Sequence, residues 1–458
     1  MEQRIRKAIE RSGADYAEVR IERSQRSRVL YQREKLEDLG TANELGGMVR
    51  CLKDGGWGVA VFNDLEEMEA KAAEATDAAA LVGARASSPV RLASVPSVRI
   101  EHRIERDDDV RNVPLREKKE LAEAYNRIIL GESKSIVASQ VQYADAFREI
   151  TFANSEGSFL VQEVPDITLI LAAVASDGAG NIQQAFEPIG SALGFDTVRG
   201  KEDEARRAAK RAVAMLDAEP VKAGQYTVIL DPRLAGVFIH EAFGHFCEAD
   251  FLYKNPQLAE IMTLGNEFGT SDLNVVDEGY VPGRRGNTPY DDEGVERKKT
   301  FLIRDGRLSG LLHSRETAAT MDAEPTGNAR AVSYEHAPIV RMTNTYIESG
   351  ASSFEEMIRD VERGVYAIEA YGGQTEFEQF SFSAAYAYEI VDGEVGGLLR
   401  DVILSGNLFE TLRSIDRIGN DRELTGGVGG CGKDVQAGLP VTVGSPHIRI
   451  RNVTIGGK

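Results

Sequence analysis

The run HEAFGHFCEAD, residues 240 to 250, constrains the fold more than any other stretch of the chain. It sets two histidines five positions apart with a glutamate directly after the first. That is one position wider than H-E-x-x-H, in which residues four apart share one face of a helix. At 3.6 residues per turn, side chains five apart diverge by about 140°, too far to meet on one ion if the helix is regular. A single π-type turn, with its i→i+5 bond, would return His240 and His245 to one face, and Gly244 is well placed to tolerate the strain. The spacing therefore predicts a distorted helix over about 232–247 if the two imidazoles hold a metal. Two satisfied core histidines in an ordinary buried helix are the alternative. Glu241 argues against it, because a carboxylate between VFIH and AFGH is costly to bury without a charged partner.

A catalytic metal also needs a third protein donor and an open position for water. Three residues offer that donor by spacing: Cys247, seven after His240; Glu248, three after His245; and the distant Cys431 in TGGVGGCGK. The glycines around Cys431 permit close backbone approach, and Lys433 would favour its thiolate. Spacing alone leaves the choice open. The cysteines Cys51, Cys247 and Cys431 are too few, and odd in number, for a disulfide framework, so reduced thiols are expected.

At 458 residues the chain exceeds the size at which one hydrophobic core stops growing, so two domains are expected. The first half reads twice as a helix followed by strands. A helix over 2–12 precedes alternating segments at 17–21, 27–31, 47–52 and 58–62, then a charged helix over 65–82. A helix over 115–129 precedes strands at 136–143, 149–153, 158–164 and 168–175. A highly charged helix over 202–218 then leads to a strand at 226–230, and the boundary is placed near residue 220. Beyond the motif helix the sequence is dominated by Gly, Asp-Gly turns and β-prone runs, with one helix at 354–361 and a terminal strand at 447–455. The stretches IRDGRLSGLL (303–312) and IVDGEVGGLL (390–399) predict two similar hairpins, from an ancient duplication or from convergent turn chemistry. The expected class is α+β. Residues 1–220 form an N-terminal mixed domain with an antiparallel sheet, and residues 221–458 a β-rich C-terminal domain carrying the metal helix.

Lys plus Arg number 54 against 73 Asp plus Glu, and the net charge of −19 repels nucleic-acid phosphates and anionic headgroups alike. Nucleic acid and membrane are therefore excluded as expected partners. The first twenty residues lack the apolar region of a secretion signal, and nowhere do about eighteen apolar residues run together. A soluble, cytoplasmic protein is expected.

Four segments, HEAFGHFCEADF, DEGYVPGRRGNTPYDDEG, TGNARAVSYEHAPIVRMTNTYIESG and GGCGKDVQAGLPVTVGSPHIRIRNVTIGG, follow one another within residues 224–458. Together they resemble the TldD/PmbA family of metallopeptidases, on its TldD-like side that bears the HExxxH helix; the amino-terminal half resembles the family in layout. The resemblance implies Zn2+ bound by His240, His245 and Cys431, with Glu241 as the catalytic glutamate. Cys247 has no counterpart in the family's motif and is read as a core thiol. Glu248 and Asp250 match acidic positions where a supporting role is expected. The family includes PmbA-like (TldE) subunits that lack the motif helix, so the resemblance implies a homodimer or a heterodimer with such a subunit. It implies unfolded or short peptides as substrates, reached through an enclosed cavity. The family's old association with DNA gyrase does not imply DNA binding, and the acidic charge agrees.

The expected activity is zinc-dependent peptide hydrolysis, with water activated by the metal and by Glu241. His313, His336, Tyr334 and the backbone amides of 426–432 are candidates to stabilise the oxyanion. An extended peptide is most simply held by strand addition, and RMTNTYI (341–347) is the candidate strand, with an interior sheet strand as the alternative. A peptide-binding or regulatory subunit with a structural metal is the rival reading, and an amidase on a small substrate is a third. A structural zinc has four protein ligands whereas the motif with Cys431 supplies three, which favours catalysis.

Overall fold

In a computed structural model, which describes residues 1–376 and 378–456, the strand segments read in the first half merge into long strands. Helix α1 (Glu2–Ser12) precedes β1 (Tyr16–Gln32), β2 (Lys35–Lys53) and β3 (Gly56–Phe62). Helix α2 (Met68–Gly83) and the short β4 (Arg99–His102) lead to α3 (Leu115–Gly131), β5 (Ile136–Asn154), β6 (Phe159–Ser176), β7 (Ile182–Ser191) and α4 (Glu202–Ala214). The strands form one sheet in the order β3-β2-β1-β5-β6, antiparallel throughout. On the outer edge of β6, β4 pairs in parallel with one end and β7 antiparallel with the other.

Two apolar layers cover one face of this sheet. Ile5, Ala8 and Ile9 of α1 stand on one helical stripe and pack with Met68, Ala72, Ala75 and Ala79 of α2 over β1 to β3. Glycine is required where α2 crosses β3: a Cβ on Gly58 would lie 1.9 Å from the Ala75 carbonyl oxygen. At the other end, α3 and α4 bury Ala122, Tyr125, Ile129, Ala205, Ala209 and Ala212 against Val141, Tyr143, Leu169 and Leu171.

The second half holds two large sheets and two short two-stranded ones. A ring of five strands closes through Arg363–Glu376, β9 (Gly224–Leu230), Ile448–Gly456, Ile403–Asn407 and Gln379–Val391, which pairs back with Arg363–Glu376. The strand Glu394–Arg400 and β8 (Glu219–Pro220) extend it. The other large sheet has six strands, with Asn344–Ile347 held between Val275–Glu278 and Thr442–Ser445. That placement corrects the candidate substrate-lining strand within 341–347: with both edges paired and all four residues buried, it has no free edge to offer a peptide.

The two expected hairpins form, each around an Asp-Gly pair with positive φ: Asp305 at 51° with Gly306 at 76°, and Asp392 at 47° with Gly393 at 81°. They lie in different sheets. Buried charges join the halves of the chain. Arg50 of β2 sits between Glu18 of β1 and Glu293, at 2.6 Å from each. The Tyr334 ring fills the space a Cβ on Gly46 would take. Among the described residues no helix is long and apolar enough to cross a membrane.

Candidate metal centre

Helix α5 (Pro232–Ala242) carries His240 and Glu241 between the two large second-half sheets. Asp231 caps it, accepting from the Leu234 amide at 2.9 Å, and Pro232 occupies the first turn. Phe238 packs edge-on against Phe380 and Phe382 of the ring. On the opposite side Gly236 touches the backbone of Gly444, so the helix lies directly on the strand Thr442–Ser445.

The helix stops at Ala242. Phe243 leaves helical geometry at φ −128° and a tight 3-10 turn, Gly244–Cys247, carries His245. The expected π-type widening is therefore replaced by a break: ending the helix, rather than widening it, swings the second imidazole back. Gly244 is needed for space and not for strain, because a Cβ there would lie 2.2 Å from the Met342 sulfur. The two rings meet edge to face with centroids 5.2 Å apart.

Cys431 opens a short hairpin, Cys431–Lys433 paired with Gln436–Leu439, and completes the cluster. Its Sγ lies 3.3 Å from His245 Nε2, and the donor atoms of His240, His245 and Cys431 all lie within 4.8 Å of one another. His240 is 2% exposed and neither ring nitrogen has a hydrogen-bond partner. Two buried, orphaned imidazole nitrogens are costly unless something else engages them. A soft donor set of two imidazoles and a thiolate suits zinc, so the residues fit the ion that the resemblance implies. Cys247 is wholly buried in the core, outside the cluster, and burial pushes its thiol up.

Around the cluster, charges are paired. His245 Nδ1 lies 3.0 Å from Glu248 Oε2, so this nitrogen carries the proton and Nε2 faces the sulfur and, at 3.8 Å, Glu241. Burial opposes charge on His245, but Glu248 and Cys431 outweigh it and hold the ring well above its ordinary value. Burial likewise raises the Cys431 thiol, and the two imidazoles outweigh it, bringing it to about 5. Glu248, buried yet facing His245 and Lys433, falls to about 2. Lys433 was expected to act on the sulfur. Its ammonium instead reaches Glu248 at 3.1 Å and Asp250 at 2.6 Å, since residues two apart on a strand share a face and the longer side chain extends past the thiol.

A cavity of about 340 Å³ opens beside the cluster. Helix α5 contributes Arg233, Val237, His240 and Glu241 to its wall, the glycine-rich segment 425–431 another side, and Phe186 and Pro188 of β7 a third. Glu241 is about one-third exposed (36% of its side chain), and Arg233 pairs with Glu369 at 2.8 Å. Glu369 itself has φ 57°, just before a bulge between Ala370 and Gly372 of the ring strand. Neither His313, His336 nor Tyr334 lines the cavity; of the oxyanion candidates only the 426–431 backbone does. Reading the sequence missed the first-half residues Phe186 and Pro188, as well as Arg233 and Glu369. Arg233 stands seven positions before His240, on the same helix face, and that spacing is a signal which could have found it.

The chain matches family models described as PmbA/TldA metallopeptidase domain 1 over residues 17–80, central domain over 108–216 and C-terminal domain over 223–457. A relative from Synechocystis named a metalloprotease is 40% identical over 446 residues, covering 97% of this chain and 96% of its own. A relative from Saccharolobus solfataricus named a zinc metalloprotease TldD homolog is 32% identical over 329 residues, 70% of this chain and 72% of its own. The solved structure of TldE from Thermococcus kodakarensis shares the fold, with a TM-score of 0.77 over 100% of both chains at 19% identity.

Proposed function

The chain belongs to the PmbA/TldA metallopeptidase family, and from that premise we propose that it is a zinc-dependent peptidase acting on unfolded or short peptides. The observation that carries this reading is His240, whose two buried, unpartnered ring nitrogens converge with His245 and Cys431 at the wall of a cavity that also holds Glu241. In this reading His240, His245 and Cys431 hold the ion. Zinc, when bound, supplies Lewis acidity that polarises a carbonyl and acidifies water. Three protein donors leave a position open, as catalytic sites do. The zinc in the name of the Saccharolobus relative supports the choice of metal.

Glu241 takes the proton of the attacking water and passes it to the leaving amine. Its carboxylate is partly exposed to the cavity and lies 3.8 Å from the His245 imidazole, which keeps it beside the cluster. Glu248 holds the His245 ring in one tautomer, and Lys433 balances the Glu248 charge. Backbone amides of the glycine-rich segment that lines the cavity supply the oxyanion donors. Such a wall of main chain suits main-chain recognition with little sequence preference.

The division into domains at residue 220, a dimer with itself or with a PmbA-like (TldE) subunit, and a cytoplasmic location belong to the same reading. The likeness of fold to TldE supports the partnership. The test is Glu241→Gln. The variant is expected to keep its zinc and to cleave a disordered polypeptide about 10²-fold to 10⁴-fold more slowly than the wild type. Wild-type cleavage by the variant would refute Glu241 as the base. Hydrolysis of small amides without turnover of unstructured polypeptide would refute the substrate class.

A further inference from the structure

We infer that Arg285 and Asp166 are positioning residues for the metal centre: together they clamp the glycine-rich segment 426–430 to the first-half sheet, so that Cys431 reaches the two histidines. The inference rests on the metal-site reading proposed above.

Arg285 lies in the long connection between the strands Val275–Glu278 and Lys299–Arg304, and its side chain is only 4% exposed. Its Nε and Nη2 donate to the two carboxylate oxygens of Asp166 at 2.6 and 2.8 Å. Its Nη1 donates to the carbonyls of Gly426 at 3.0 Å and Gly429 at 2.7 Å. Asp166 lies on β6, between the stretch that pairs with β4 and the stretch that pairs with β7. One guanidinium thus spans the two halves of the chain. A buried guanidinium needs a charged partner and a full set of acceptors, and here both are present.

The segment cannot hold itself. Four of the five residues from 426 to 430 are glycine, which loses more conformational freedom on ordering than any other residue. Undocked, it would spread the Cys431 sulfur over many positions. The contacts that order it come from outside and are close. A Cβ on Gly190 of β7 would lie 1.7 Å from the Gly427 carbonyl oxygen, and one on Gly426 would lie 2.7 Å from Arg285 Cδ. Arg341 holds the Cys431 carbonyl at 2.7 Å from within the second half. Arg285 adds the tie to the first half. The ligand geometry of a site in residues 240–431 therefore depends on a carboxylate in the amino-terminal sheet, and neither clamp residue touches the donor atoms.

The experiment compares wild type, Asp166→Asn and Arg285→Lys. Zinc affinity is read by competition with a chromophoric chelator, and sulfur ligation by the thiolate-to-cobalt absorption band of Co2+-loaded protein, with Cys431→Ser setting its zero. Both variants are expected to bind zinc about ten-fold or more weakly, as loss of a ligand's supporting partner does, and to show a diminished band. Lysine keeps the charge but loses the planar fork, so it should not rescue. A role confined to fold stability would lower thermal stability and leave the band of the folded protein unchanged. Hydrogen exchange in metal-free Asp166→Asn is expected to accelerate over 425–432, which keeps the inference open to refutation if Arg285→Lys fails to fold. Wild-type affinity and band in Asp166→Asn, or unchanged exchange there, overturn the clamp and leave the metal reading intact. A wild-type protein that takes up neither ion overturns both.

Discussion

Lys433 shows how one residue's role depends on where its neighbours end up. It sits two positions after the Cys431 thiol, and the sequence suggests that it stabilises the thiolate; in the fold its ammonium is enclosed by Glu248, Asp250 and the Val340 carbonyl. Replacing it with methionine, Lys433→Met, removes the cation shared by the buried Glu248 and the partly buried Asp250. The expected loss is about 3–5 kcal/mol of unfolding free energy, read as a shift in urea midpoint that narrows as the pH is lowered and the carboxylates protonate. An unchanged midpoint at neutral pH would remove Lys433 from the supporting network. At this scale the two histidines and Glu241 stand out in one short run, while spacing left Cys431, Cys247 and Glu248 open as a third donor and the family resemblance pointed to Cys431, the residue the fold brings to the histidines. Their partners were not legible, because Glu248 and Lys433 are 185 positions apart and only the fold brings them together.

At the scale of single elements, α5 and the turn that follows it each depend on a glycine, and the two have different neighbours. A Cβ on Gly236 would come within 2.8 Å of the Gly444 backbone, which cannot rotate away, whereas one on Gly244 would meet the end of the Met342 side chain. Gly236→Ala and Gly244→Ala are each expected to lose about 1–3 kcal/mol, with the Gly236 variant at the upper end and lower in zinc content because the helix carrying His240 is displaced. Thermal unfolding of metal-free protein and metal analysis check this; equal losses would mean that the strand yields as easily as the methionine. A second element effect concerns His313, next to the Ser314 cap of the helix Arg315–Met321. Burial lowers its imidazole to about 4, so in the folded protein it stays neutral. The unfolded chain protonates it near pH 6.5. Stability from this group is therefore complete above about pH 6.5 and falls as the pH drops toward 4, by on the order of 3 kcal/mol in all. In metal-free protein, His313→Gln should flatten that part of the stability profile; parallel profiles for variant and wild type would contradict the assignment. Helix positions were largely readable from apolar periodicity. The break after Ala242 was not, since the neighbours of the turn beyond it, Met342 and Thr345, lie about a hundred positions away in the chain.

For the whole molecule, the join between halves is made of buried charge. Arg50, 6% exposed, is shared by Glu18 from its own sheet and Glu293 from beyond residue 220. Arg50→Met leaves both carboxylates without a counter-charge and is expected to cost about 3–5 kcal/mol, with Glu18→Gln plus Glu293→Gln in the same chain recovering part of it. A double-mutant cycle by chemical denaturation measures the coupling, and simple additivity would show that the three groups do not act together. The same join places β7 beside the glycine-rich segment, so that the cavity has walls from both halves. By itself the sequence determined the α+β class, the helices and hairpins, and the residue types that could hold an ion, because periodicity, turn chemistry and ligand chemistry are local properties. Only the tertiary structure decided that the motif helix ends instead of widening, that Asn344–Ile347 lies inside a sheet, and that Arg285 ties the cysteine's loop to Asp166. Each of these depends on contacts between residues far apart in the chain, whose distances are set by how whole sheets pack and not by any local pattern.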